Sequence, residues 1–95
     1  MIFTNSRRQL RQPGGYFHLQ EEKTKTRATG FGHGDNIRLK DEYGNLWTGS
    51  AIRNDDTSIV YRFRTNRGRT LTGVAEGEAV TLRDERGNTW KGFVS

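Results

Sequence analysis

The residues able to do chemistry are few and scattered. The chain holds two histidines, His18 and His33, and no cysteine. Nucleophilic catalysis needs a base within hydrogen-bond reach of the nucleophile, and zinc sites gather several Cys or His ligands, so two isolated imidazoles supply neither. His33 stands between Gly32 and Gly34, a turn composition that predicts exposure. The carboxylate pairs Asp41-Glu42 and Asp84-Glu85 have the make-up of an acid–base couple. Each pair precedes a turn glycine, Gly44 or Gly87, where an aspartate accepts backbone N–H groups in an Asx turn. A structural role is expected for both. The run Gly30-Phe31-Gly32-His33-Gly34-Asp35 lacks the Lys-Ser/Thr of a phosphate loop and the tandem copies of a calcium-binding glycine repeat. The sequence predicts a non-catalytic protein with no cofactor and no metal.

Charge carries the functional signal. Sixteen Lys+Arg against 11 Asp+Glu give a net +5, which favours polyanionic partners. The charge is segregated: residues 1–30 sum to +4, 31–57 to −2, 58–75 to +4 and 76–95 to −1. Within 58–75, Arg62, Arg64, Arg67 and Arg69 occur without an acid, and Arg7, Arg8 and Arg11 form a second group near the N-terminus. A flat, forked guanidinium suits phosphate oxygens and stacks on bases. These seven arginines are the candidate nucleic-acid-binding residues. Tyr61 and Phe63 share the parity of Ile59 and are expected to point inward, so this segment displays no stacking aromatics.

Two other partners fit the same composition. Charged strands also guard against aggregation, and an acidic protein surface would answer the same arginines. The alternative function is a protein-interaction module, including a homo-oligomer formed through Val60, Phe93 and an open sheet edge. Binding of a small ligand between Trp47 and Trp90 ranks last, because two indoles among eight short strands leave little empty volume. Both tryptophans occupy one slot of a repeat, as core residues would.

That repeat organises the chain. Residues 28–51 and 71–94 align without gaps at an offset of 43, with ten identities in 24 positions, among them Asp41/Asp84, Gly44/Gly87, Trp47/Trp90 and Gly49/Gly92. Residues 63–73 lie over 82–92 as a third copy, and 17–30 fit as a degraded first copy whose loop has lost the turn glycine. Each copy reads as a β-hairpin. Ile37-Arg38-Leu39-Lys40-Asp41 and Ile59-Val60-Tyr61-Arg62-Phe63-Arg64 alternate with period 2. Their connectors place Gly where a type I turn followed by a left-handed residue demands positive φ. Eight strands are expected, near 16–20, 26–31, 36–41, 46–52, 58–65, 69–75, 79–84 and 89–94.

The fold class is therefore all-β: an antiparallel meander of four repeated hairpins forming a small barrel or a curled sheet. Parity sends Phe17, Leu19, Ala28, Ile37, Leu39 and Trp47 to one face, with Ala51, Ile59, Tyr61, Phe63, Leu71, Ala75, Val80, Leu82, Trp90 and Val94. Gly49, Gly73 and Gly92 recur two residues after the large buried position, which suits strong curvature or close backbone approach. The stretch from Gly34-Asp35-Asn36-Ile37 through Gly44-Asn45-Leu46-Trp47 to Tyr61-Arg62-Phe63 resembles, in pattern, SH3-like small barrels of the Tudor and KOW kind. That alternative implies five strands closing within about 35–80. Residues 1–15 read as a basic N-terminal arm, with Ser6 able to cap one helical turn over 7–12, and 16–95 as a single domain. With no cysteine, no signal-peptide pattern and no run near ~18 apolar residues, a cytoplasmic protein without membrane partners is expected.

Overall fold

A computed structural model describes residues 13–55 and 57–95. Period-2 alternation builds eight strands: β1 (Gly14–Glu21), β2 (Arg27–His33), β3 (Asn36–Asp41), β4 (Leu46–Arg53), β5 (Ser58–Arg64), β6 (Thr70–Glu76), β7 (Ala79–Asp84) and β8 (Thr89–Val94). Each pairs antiparallel with the next. The last then pairs with the first, Phe17 facing Val94 and Leu19 facing Gly92, so the meander closes into a barrel rather than a curled sheet. Tyr16 and Ser95 exchange backbone hydrogen bonds of 2.9 and 2.8 Å at the seam. Gly14 and Gly15, assigned from sequence to the N-terminal arm, are the first residues of β1. The cap expected at Ser6 lies outside the described residues.

The interior is the face that parity assigns. Fifteen of its sixteen residues are buried, and Ile59 packs half-buried against them. Strands four apart in the ring meet across the barrel. Trp47 of β4 meets Trp90 of β8 edge-on with ring centroids 6.2 Å apart, and Phe17 of β1 meets Tyr61 and Phe63 of β5 at 5.1 and 5.8 Å. Side chains from opposite walls touch, so the barrel is filled and holds no ligand chamber between the tryptophans. Such tight curvature requires glycine at one level of the wall. A Cβ on Gly49 would stand 2.0 Å from the Arg62 carbonyl oxygen and one on Gly92 1.7 Å from that of His18. Gly30 and Gly73 repeat the arrangement.

Four longer turns gather at one end of the barrel, after β1, β3, β5 and β7. In three of them Gly44, Gly68 and Gly87 take φ of 83°, 86° and 84°, and each donates its N–H to the carbonyl three residues back, at 3.0–3.2 Å. The first turn has no glycine. It is one residue longer, and Lys25 adopts the left-handed conformation at φ 62°.

Candidate nucleic-acid interface

The outer wall divides its chemistry by strand. Strands β3, β5 and β7 turn cations outward, Arg38 and Lys40 from β3, Arg62 and Arg64 from β5, and Arg83 from β7, while β4 and β6 turn out Thr48, Ser50, Thr70 and Thr72. Register then sets Arg64 between Thr48 and Thr70, and Arg62 between Ser50 and Thr72. Directly opposed side chains in an antiparallel pair stand about 5 Å apart at Cβ, so each guanidinium is flanked by hydroxyls on both sides. Together with Asp35 they line a groove of about 470 Å³ over β4, β5 and β6. A second hollow of about 400 Å³ continues it toward the turns, sharing Thr48 and Arg64 and ending at Asn66 and Arg67. Among the described residues no carboxylate comes within ion-pairing distance of Arg62, Arg64 or Arg67.

Arg69 does not join this groove. Its guanidinium lies over the Trp47 ring at 5.2 Å and pairs with Glu85 at 3.3 Å and Asp84 at 3.6 Å. Those acids belong to the neighbouring hairpin, so the acid-free segment read from sequence is not acid-free in space. Arg7, Arg8 and Arg11 lie outside the described residues.

The repeated carboxylates are structural, as expected from the turns. Asp41 Oδ1 accepts the N–H groups of Tyr43 and Asn45 at 2.9 and 3.0 Å, while Oδ2 accepts Asn45 Nδ2 at 3.0 Å and Trp47 Nε1 at 3.2 Å. Asp84 repeats the pattern with Arg86, Asn88 and Trp90 at 2.9, 2.9 and 3.3 Å. Glu21 and Thr65 accept turn N–H groups in the other two hairpins. Burial pushes the Asp41 and Asp84 carboxyls up, but the hydrogen bonds they accept outweigh it and hold both below the usual carboxylate range. The second acid of each pair reaches sideways: Glu42 accepts Arg27 N–H at 2.6 Å and Glu85 accepts Thr70 N–H at 3.0 Å.

His33 is exposed, and His18 sits on the outer wall stacked on Phe93 with centroids 4.9 Å apart. Among the described residues no three His, Cys, Asp or Glu side chains are grouped to hold a metal ion. No helix among them is long and apolar enough to cross a membrane. Val60 and Phe93, proposed from sequence as an association surface, sit on β5 and β8 with two strands between them. Among the described residues every strand has a partner on both sides, so the open sheet edge of that reading does not exist.

Sequence reasoning passed over two rings. Tyr16 and Phe31 point outward, 60% and 61% exposed, with centroids 5.4 Å apart. Their signal was parity: each is one residue out of step with the buried set, Tyr16 beside Phe17 and Phe31 beside Gly30. No protein-family model, curated protein or solved structure matches this chain.

Proposed function

We propose that this barrel is a non-catalytic nucleic-acid-binding module that grips the phosphate backbone with its outer wall. One observation carries the reading: Arg62 and Arg64 stand side by side on β5 in a groove lined by hydroxyls, and among the described residues neither is ion-paired to a carboxylate. Two guanidinium groups flanked by Ser and Thr hydroxyls offer donors to an incoming anion, which suits phosphate oxygens, and they outnumber the one carboxylate that lines the groove, Asp35. Arg67 extends the same charge to the turn end, and Arg38 and Arg83 extend it to the neighbouring odd strands. Backbone contacts of this kind carry little sequence information.

Fluorescence anisotropy with labelled DNA and RNA, titrated with salt, tests the reading. Affinity should fall steeply as salt rises, and each phosphate contact removed should flatten the log–log slope by ~0.7–0.9. The double variant R62E/R64E should therefore lose most binding and about 1.4–1.8 of slope. Lys91→Glu, on β8 across the barrel from β4 and already paired with Glu22 at 3.1 Å, should change little. Full affinity in R62E/R64E, or no binding by the parent protein at low salt, would refute the proposal.

A further inference from the structure

The outward positions of six consecutive strands form one continuous row. Pairing registers Tyr16 with Phe31, Phe31 with Arg38, Arg38 with Thr48, Thr48 with Arg64, and Arg64 with Thr70. Five inter-strand steps of ~4.8 Å carry this row about 24 Å around the wall. It begins in two exposed rings and ends in the arginine groove. A parallel row on the adjoining level has the same order: Phe93 faces His18, His18 faces Thr29, and Thr29 faces Lys40. The first row thus runs from rings on β1 and β2 to cations on β3 and β5, and the second from rings on β8 and β1 to Lys40 on β3.

We propose that the polyanion is single-stranded nucleic acid, its bases stacked on Phe31 and Tyr16 while its phosphates follow Arg38 and Arg64. This deepens the reading of the groove as a phosphate site and rests on it. Two physical arguments select a single strand over a duplex. Exposed rings add affinity through the π faces of bases, and a duplex keeps those faces inside its own stack. The wall is also strongly convex, because eight strands close around side chains alone. A duplex with a persistence length of ~50 nm meets such a wall only along a tangent and cannot reach rings and arginines several strands apart, whereas a single strand can wrap the row. Charge complementarity favours an anionic occupant of the same surface: the patch opens directly onto Arg38 and Lys40, and neither cation has an acidic partner among the described residues.

The test compares a labelled mixed-sequence 15-nucleotide single strand, as DNA and as RNA, with the blunt duplex of the same sequence at one low salt concentration. The parent protein should favour the single strand by tenfold or more. Phe31→Ala and Tyr16→Ala should each weaken single-strand binding by about 5- to 150-fold, the range for losing one base–aromatic stack, leaving the salt slope and the duplex affinity unchanged. Both rings are more than half exposed, and a thermal melt verifies that each variant stays folded. Phe31→Trp should restore or exceed parental affinity and Phe31→Leu should not, which separates stacking from plain apolar contact. Equal affinity for duplex and single strand, or ring variants that lose nothing while R62E/R64E still abolishes binding, would overturn this inference and leave the groove reading standing. No binding to any of the three nucleic acids would remove both. A parent protein that sediments as a dimer and becomes monomeric on Phe31→Ala would also overturn it, assigning the rings to a self-interface.

Discussion

Replacing Asp41 with Ala isolates the contact that ties each turn to the core. Four donors lose their acceptor at once. Tyr43 is exposed and Asn45 half-buried, so water can serve their N–H groups in the variant. Trp47 cannot be rescued that way, because its side chain is 0% exposed and its indole N–H would remain buried and unpaired. An orphaned buried donor costs about 1–3 kcal/mol, and loss of hydrogen bonds to a charged acceptor adds to it. A total near 3 kcal/mol is expected, against a stability of about 5–14 kcal/mol for a chain of this length. That corresponds to a fall in Tm of about 12–24 °C. Asp41→Asn keeps an acceptor for the turn but turns an NH₂ group toward Trp47 Nε1 and Asn45 Nδ2, so it should recover only part of the loss. Urea denaturation followed by far-ultraviolet circular dichroism measures the values. Repeating Asp41→Ala in a Trp47→Phe background, where no indole N–H exists, completes a double-mutant cycle whose coupling should be about 1–2 kcal/mol. A coupling below about 0.5 kcal/mol, or a total loss below about 1 kcal/mol, would refute the reasoning and make Asp41 an ordinary surface turn residue. Asp84→Ala should cost more than its counterpart, because Arg69 stands 3.6 Å from Asp84 and would lose a partner as well.

The lowered pKa values of Asp41, Asp84 and Glu85 make stability depend on acid. A carboxyl held below its unfolded value stabilises the fold above that value and loses its contribution as pH falls through the folded one. The Tm should be level from pH 7 to about 5 and drop below about 4, with a shallower drop in an Asp41→Asn, Asp84→Asn variant; a Tm that rises on acidification would contradict the hydrogen-bond assignment. Gly92→Ala should destabilise far more than Gly44→Ala, because its Cβ would collide with the backbone of His18 and Leu19 at the closing seam. At Gly44 nothing lies within 4 Å and only the left-handed φ is strained, a cost of about 1–2 kcal/mol; equal losses in equilibrium unfolding would show that the seam adapts to the added methyl.

Much of this molecule was legible in the chain because the rules that shaped it are local. A strand half in the core must alternate, so parity alone assigned Phe17, Trp47, Leu71 and Trp90 to the interior. A tight turn after a type I bend needs positive φ, so Gly44, Gly68 and Gly87 marked three of the four longer turns. The fourth was marked only by its missing glycine, and the chain met the same requirement with an extra residue and Lys25 at positive φ. The repeat of Asp41 and Asp84 before those glycines carried their role as turn acceptors, since that contact spans four residues. What joins different hairpins was not legible. Closure of β8 onto β1 depends on twist and stagger summed over all eight strands, and no single segment encodes that sum. The same holds for Arg69, which lies in an acid-free stretch of sequence yet rests between Trp47 of one hairpin and Asp84 and Glu85 of another. It holds again for the row from Tyr16 to Thr70. Each outward side chain follows from alternation, but which of them stand abreast is set by inter-strand register, and register is a property of pairs of strands that only the closed barrel brings together.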